Sequence, residues 1–161
     1  IRLTNYLLKG KTSTVRKNVD SLLGIKTLEE LINKETDRGE KLMKYAEKVE
    51  KEYDKLLEKA LKIEAEGRLI LFRYATSKQS FTGELSNELI YKMPDKFIII
   101  AREEDELVKM SLRSNNDYIP SILDKAREGL GGYGGGHDHS CGASMPKENF
   151  KEFIERIKKL I

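Results

Sequence analysis

Apolar residues return every three or four positions through the first two-fifths of the chain, and at Gly67 they give way to short runs. That change of period predicts helices first and a sheet afterwards. Thr12-Ser13-Thr14 opens a helix whose apolar side carries Leu22, Leu23 and Ile25 and which Gly24 stops. Thr27, with Glu30 three residues on, is a capping box for a second helix. From about Leu28 to Glu66 the spacing runs through Leu31, Leu42, Tyr45, Ala46, Val49, Tyr53, Leu56, Leu57, Ala60, Leu61 and Ile63, and Gly39 is where it would break or bend. Such a helix is either a rigid strut between domains or an amphipathic helix lying on its own domain.

Beyond Gly67, Arg68 to Ala75 is a short run of strand formers, Glu84 to Met93 reads as a helix stopped by Pro94, and Lys96 to Ala101 reads as a buried strand. Leu107 to Arg113 alternates, which puts Leu107, Lys109, Ser111 and Arg113 on one face and Val108, Met110 and Leu112 on the other. Asn115-Asn116-Asp117 marks a loop, and Pro120 suits the first turn of a helix through Ile122, Leu123 and Ala126 to Gly129. Cys141 to Met145 is a short strand, and Phe150, Phe153, Ile154, Ile157, Leu160 and Ile161 line the buried side of a last helix. The predicted fold is α/β, a mixed sheet flanked by helices, with residues 1–66 a helical connector and 67–161 the sheet domain.

The segment between the last two helices breaks every pattern. Gly131 to Gly136 holds five of the twelve glycines in the six positions before His137. Glycine buries nothing and costs backbone entropy, so such a cluster is expected where the chain adopts positive φ or must approach something closely. Bare amides can cradle an anion, and an imidazole can donate to a phosphate oxygen. Read as a loop, Gly134, Gly135, Gly136 and His137 are candidate phosphate ligands. Arg113, on the polar side of its strand with Ser111, adds a guanidinium whose fork matches a phosphodiester. The plain alternatives are a surface ion pair for Arg113, a flexible linker for the glycines and an unpartnered loop position for His137.

Composition narrows the setting. A net charge of +3, with Lys and Glu interleaved, provides no broad basic field, so any nucleic-acid contact must be local. The single cysteine, Cys141, excludes an internal disulfide framework and suits a reducing, cytoplasmic compartment. No apolar run approaches the roughly 20 residues that span a bilayer, and no membrane partner is expected. The opening Ile1-Arg2-Leu3-Thr4 is too polar for a signal peptide and reads like the middle of a helix, as in a piece of a longer protein. The abundance of Lys, Glu and Ile resembles the bias of proteins from hot environments.

Val108-Lys-Met-Ser-Leu-Arg-Ser114, a helix, and then Gly134-Gly-Gly-His-Asp-His-Ser-Cys-Gly-Ala143 resemble the C-terminal, DHH-associated substrate-binding domain of the DHH phosphoesterases. The RecJ-like nucleases and their archaeal relatives look most similar. The likeness covers about Gly67 to Ile161, the helices before it are similar to the family's connector, and Ser140-Cys141 stands where two alanines are common. It implies that His137, the amides of Gly134 to Gly136 and Arg113 hold a substrate phosphate, with Ser111 and Ser114 as lesser contacts. It also implies two metal ions, Mn or Mg, bound in an N-terminal catalytic DHH domain. This chain has no Asp-His-His triplet, so no catalytic residue or cofactor is assigned to it. The implied partners are single-stranded nucleic acid, that catalytic domain and replication proteins, in DNA repair or replication. Two further readings stand beside a single-strand exonuclease: a phosphodiesterase for short oligonucleotides or cyclic dinucleotides, and a catalytically inactive scaffold.

Two rival chemistries attach to the same segment. His137, His139 and Cys141, spaced by two, could converge on zinc if the segment were extended, although a fourth ligand is missing. Cys141 as a nucleophile would need one of those histidines as its base.

Overall fold

A computed structural model of the chain describes residues 2–75 and 79–161. It forms two compact units, Ile1–Glu58 and Lys59–Ile161.

The first unit is helical: α1 (Arg2–Leu7), α2 (Thr12–Leu23), α3 (Leu28–Ile32) and α4 (Asp37–Leu61), the last running on past its boundary. Tyr6, Leu7, Leu31, Leu42, Ala46, Val49 and Tyr53 form its buried side. The spacing that predicted one helix from Leu28 onward is interrupted, but ahead of Gly39. The Glu30 amide donates to Thr27 Oγ1, which starts α3, and Lys34 at φ 57° ends it. Gly39 sits inside α4, where an added Cβ would come within 2.9 Å of the Glu30 carbonyl oxygen. The glycine therefore serves close approach of the backbone rather than a break.

The second unit is a five-stranded mixed sheet in the order β1-β2-β3-β5-β4, with β1 (Leu69–Ala75) parallel to β2 (Phe97–Glu104) and every other pair antiparallel. The remaining strands are β3 (Leu107–Arg113), β4 (Tyr133–His137) and β5 (Ser140–Pro146), and the helices are α5 (Thr82–Lys92), α6 (Ile119–Arg127) and α7 (Lys147–Lys158). One face packs on α6 and α7. Phe97, Ile99, Val108, Met110, Leu112, Cys141, Ala143 and Met145 meet Leu123, Phe153 and Ile157 there, all nearly or fully buried. On the other face α5 lies against β2 and β3, and Leu85, Leu89, Ile98 and Ile100 are fully buried. The antiparallel half, β3-β5-β4, keeps exposed positions on that face: Lys109, Gly142, Tyr133, Gly135 and His137.

One expectation is corrected. The glycine-rich segment is an edge strand, paired from Tyr133↔Ser144 to His137↔Ser140, and only Asp138 and His139 form a turn. Glycine has little strand propensity by itself. Here β5 supplies a paired partner, and the absence of a side chain at Gly134 lets the edge strand pack close against Leu123 of α6.

Candidate functional site

Strand register places the predicted residues. Arg113 pairs with Ser140, which pairs in turn with His137, so the three form one row across β3, β5 and β4. Directly opposed residues point to the same face, so Arg113 and His137 share a face with roughly 10 Å between their Cα atoms. Ser111, Gly142 and Gly135 form the next row, and Lys109, Ser144 and Tyr133 the one after. An added Cβ at Gly135 would meet nothing within 4 Å, and one at Gly142 only the Met110 carbonyl at 3.9 Å. The middle row is thus a bare floor, with Arg113 and His137 at one end and Lys109 and exposed Tyr133 at the other.

Arg113 is held without an acid. Its Nε donates to Asn87 Oδ1 at 2.8 Å, and its Nη1 to the carbonyls of Leu112 at 2.8 Å and Cys141 at 3.4 Å. Among the described residues no carboxylate pairs with it, which removes the surface ion-pair alternative. Burial lowers its pKa somewhat, yet a guanidinium stays charged at any physiological pH. Neutral oxygens orient the group and, among the described residues, leave its charge uncompensated and Nη2 without a partner. A half-buried arginine so placed is suited to an anion from solvent.

His137 is exposed, one residue before the turn. The turn itself is tied down by the loop ahead of α6. The Ile119 amide donates to the Asp138 carbonyl at 2.8 Å, the Ser114 amide to the His139 carbonyl at 3.3 Å, and His139 Nδ1 lies 3.1 Å from the Asp117 carbonyl oxygen. Asp117 anchors that loop. Arg68 grips its carboxylate with two bonds, of 3.2 Å and 2.6 Å, and the Ser114 hydroxyl donates to it at 2.5 Å. Burial alone would raise the Asp117 pKa. The Arg68 and Ser114 bonds, with the charges of Arg68 and His139, outweigh that and hold it below the usual carboxylate value.

The structure therefore brings together Arg113, Ser111, Gly135 and His137, and does not bring Ser114 or Gly134 to them. Ser114 is fully buried, with its hydroxyl spent on Asp117, so it positions the loop and cannot touch a ligand. Gly134 points to the helix side, where an added Cβ would lie 2.8 Å from Leu123 Cδ2. Successive amides of a strand point alternately to opposite sides, so those of Gly134, Gly135 and Gly136 do not converge on one anion as a loop nest would. What the sequence missed is Asn87, 26 residues from Arg113, and Arg68, 49 residues from the loop residue Asp117 that it holds. No local pattern could have marked them.

Neither rival chemistry fits. Cys141 is buried among the core residues beneath α6, on the face opposite His137, and its Sγ donates to the His137 carbonyl at 3.4 Å. Burial raises its pKa, away from the thiolate that zinc binding or nucleophilic attack requires. Among the described residues no three His, Cys, Asp or Glu side chains converge.

Residues 70–161 match the DHHA1 domain family. An uncharacterised protein of Methanocaldococcus jannaschii is 30% identical over 115 residues, which cover 68% of this chain and 26% of that protein. The fold is similar to RecJ of Thermus thermophilus, crystallised with Mg2+, at a TM-score of 0.62 and 17% identity over 76% of this chain and 19% of RecJ. It is also similar to a pGpG-specific phosphodiesterase of Vibrio, at a TM-score of 0.51 and 12% identity over 73% of this chain and 42% of that one. The chain thus spans about a quarter of the curated relative it matches. No helix among the described residues is long and apolar enough to cross a membrane.

Proposed function

Because this chain belongs to the DHHA1 domain family of DHH phosphoesterases and has a RecJ-like fold, we propose that it is the part of a single-strand exonuclease that grips the nucleic-acid strand. Arg113 and His137 bind a backbone phosphate over the Gly135-Gly142 floor, with Ser111 at its edge. The observation that carries this reading is the row Arg113-Ser140-His137, in which a cation without a carboxylate partner and an imidazole share one exposed face. An anion laid across the row exchanges water for a guanidinium Nη2 and a ring nitrogen. Ser111 Oγ lies one row further in. The bare floor lets a sugar-phosphate chain approach the sheet without displacing any side chain.

This geometry supplies positioning and electrostatic grip rather than bond cleavage. The donor set described here does not suit a pair of divalent cations. Mn or Mg and the cleavage chemistry therefore belong, in this proposal, to a catalytic DHH domain of the same protein, with the helical residues 1–66 as connector. A cytoplasmic role in DNA repair or replication, beside replication proteins, is part of the same proposal. A second reading, a substrate domain for short oligonucleotides or cyclic dinucleotides, draws on the shortness of the floor, since β4 has five residues.

Fluorescence anisotropy with a labelled DNA single strand at low salt tests the grip. Arg113→Ala and His137→Ala should each weaken binding roughly tenfold, the order expected for a charge-assisted hydrogen bond. Rising salt should weaken the wild-type chain further. Unchanged affinity in both variants would remove the row from the function. Competition by a dinucleotide as strong as that of a long strand would favour the second reading.

A further inference from the structure

Beside the phosphate row, on the α5 side, lies a cleft of about 400 Å³ lined by Asn87, Ile90, Tyr91, Pro94 and Asn115. Its polar groups can be oriented without ambiguity. Asn87 Oδ1 accepts from Arg113 Nε, and arginine only donates, so Asn87 Nδ2 is the other amide end and has no partner among the described residues. Asn115 Nδ2 donates to the Pro94 carbonyl at 3.1 Å, and a carbonyl only accepts, so Asn115 Oδ1 is the end that has no partner among the described residues. The cleft therefore offers one unspent donor and one unspent acceptor. Tyr91, one helical turn after Asn87, is 87% exposed and makes no hydrogen bond in the described structure. An aromatic ring so exposed gains nothing from the fold, while an open π-face beside a donor and an acceptor matches a planar heterocycle with a mixed hydrogen-bonding edge.

We propose that this cleft is a nucleobase subsite, and that it takes the base of the nucleotide whose phosphate Arg113 holds. The inference rests on the phosphate reading of the Arg113 row, because Asn87 is the physical link. One side of its amide fixes the guanidinium and the other faces the cleft. The base stacks on Tyr91, with Asn87 Nδ2 and Asn115 Oδ1 at its edge. Ile90 and Pro94 supply the apolar wall. Binding of a base would then hold Asn87 in the rotamer that keeps Arg113 aimed across the row.

The test compares two labelled DNA single strands of equal length, one with bases and one abasic throughout, titrated with the 161-residue chain and its variants at low salt. Tyr91→Ala should weaken binding of the base-bearing strand by about fivefold or more, the lower end for loss of one stacked base. The abasic strand should bind as before, and Tyr91→Phe should keep wild-type affinity for both. So exposed a side chain is not needed for folding, which a thermal melt of Tyr91→Ala by circular dichroism would check. An equal loss for both strands, or a loss for neither, would overturn the subsite. In the same assay Arg113→Ala should weaken both strands. If it weakens neither, the phosphate reading fails together with the placement of this base. If Arg113→Ala weakens both while Tyr91→Ala changes neither, the phosphate site stands and the base subsite alone is lost.

Discussion

Gly134 and Gly135 are neighbours in one strand and serve opposite faces of the sheet. Gly134 looks toward α6, where Leu123 Cδ2, Ala143 Cβ and the Gly142 carbonyl leave no room for a methyl group, and Gly135 looks onto open space. Much the same division runs through the antiparallel half, except at Ser144, which is buried although it lies on the open face. Cys141, Ala143 and Met145 of β5 are packed, while Gly142 of that strand is exposed. One side of these strands is a core that would tolerate almost any well-shaped apolar set. The other is a surface whose missing side chains are the point. Absence of a Cβ therefore has two physical meanings in adjacent residues, close packing at one and an open surface at the next.

The largest way to disturb both faces at once is Gly136→Ala. Its φ is 154°, and the added Cβ would lie 2.3 Å from the Ser140 carbonyl oxygen and 2.8 Å from Cys141 Cα, both backbone atoms that cannot step aside. Strain and clash together should destabilise the fold by roughly 2–4 kcal/mol, read as a lowered midpoint in urea unfolding. A wild-type midpoint would show that the hairpin is not paired as described.

A paired substitution separates the faces. Gly134→Ala should lower stability by about 1–2 kcal/mol through overpacking against Leu123. Gly135→Ala should change stability by less than about 0.5 kcal/mol, yet weaken single-strand binding severalfold because a methyl group then rises from the floor. If both variants lose stability equally and bind equally well, the two faces do not differ in the way described.

The smallest effect is expected from the loop that holds the hairpin. The folded-state pKa of Asp117 is depressed, so its contribution to stability is fully present above the unfolded carboxylate value of about 4. It is lost as pH falls through the lower folded value. Between pH 5 and pH 3, Asp117→Asn should therefore show a shallower loss of melting temperature than the wild type, starting from a lower plateau. Parallel pH profiles for the two proteins would mean that the Arg68-Asp117-Ser114 contact contributes nothing to holding the turn.

Much of this was legible in the residues because period and burial are coupled locally. The alternation of Leu107 to Arg113 returned β3 with the same two faces, and Phe150, Phe153, Ile154 and Ile157 returned the buried stripe of α7. The glycine segment was misread as a loop for an equally physical reason. Periodicity is carried by side chains, and Gly134 to Gly136 have none to show it. The helix break at Lys34 was passed over although the stretch between Ile32 and Leu42 has no apolar residue, because the regular spacing on either side suggested one continuous helix.

By itself the sequence determined the α/β class, the elements outside the glycine segment and the α3–α4 break, and the residue types able to hold an anion, since propensity, period and chemistry are properties of short stretches. Only the tertiary structure decided which of those residues meet. Whether Arg113 finds an acid or an amide, whether Ser114 is open or spent, and which glycine is floor depend on partners that the sheet brings from far along the chain. Those contacts are set by packing and register, which no single segment encodes.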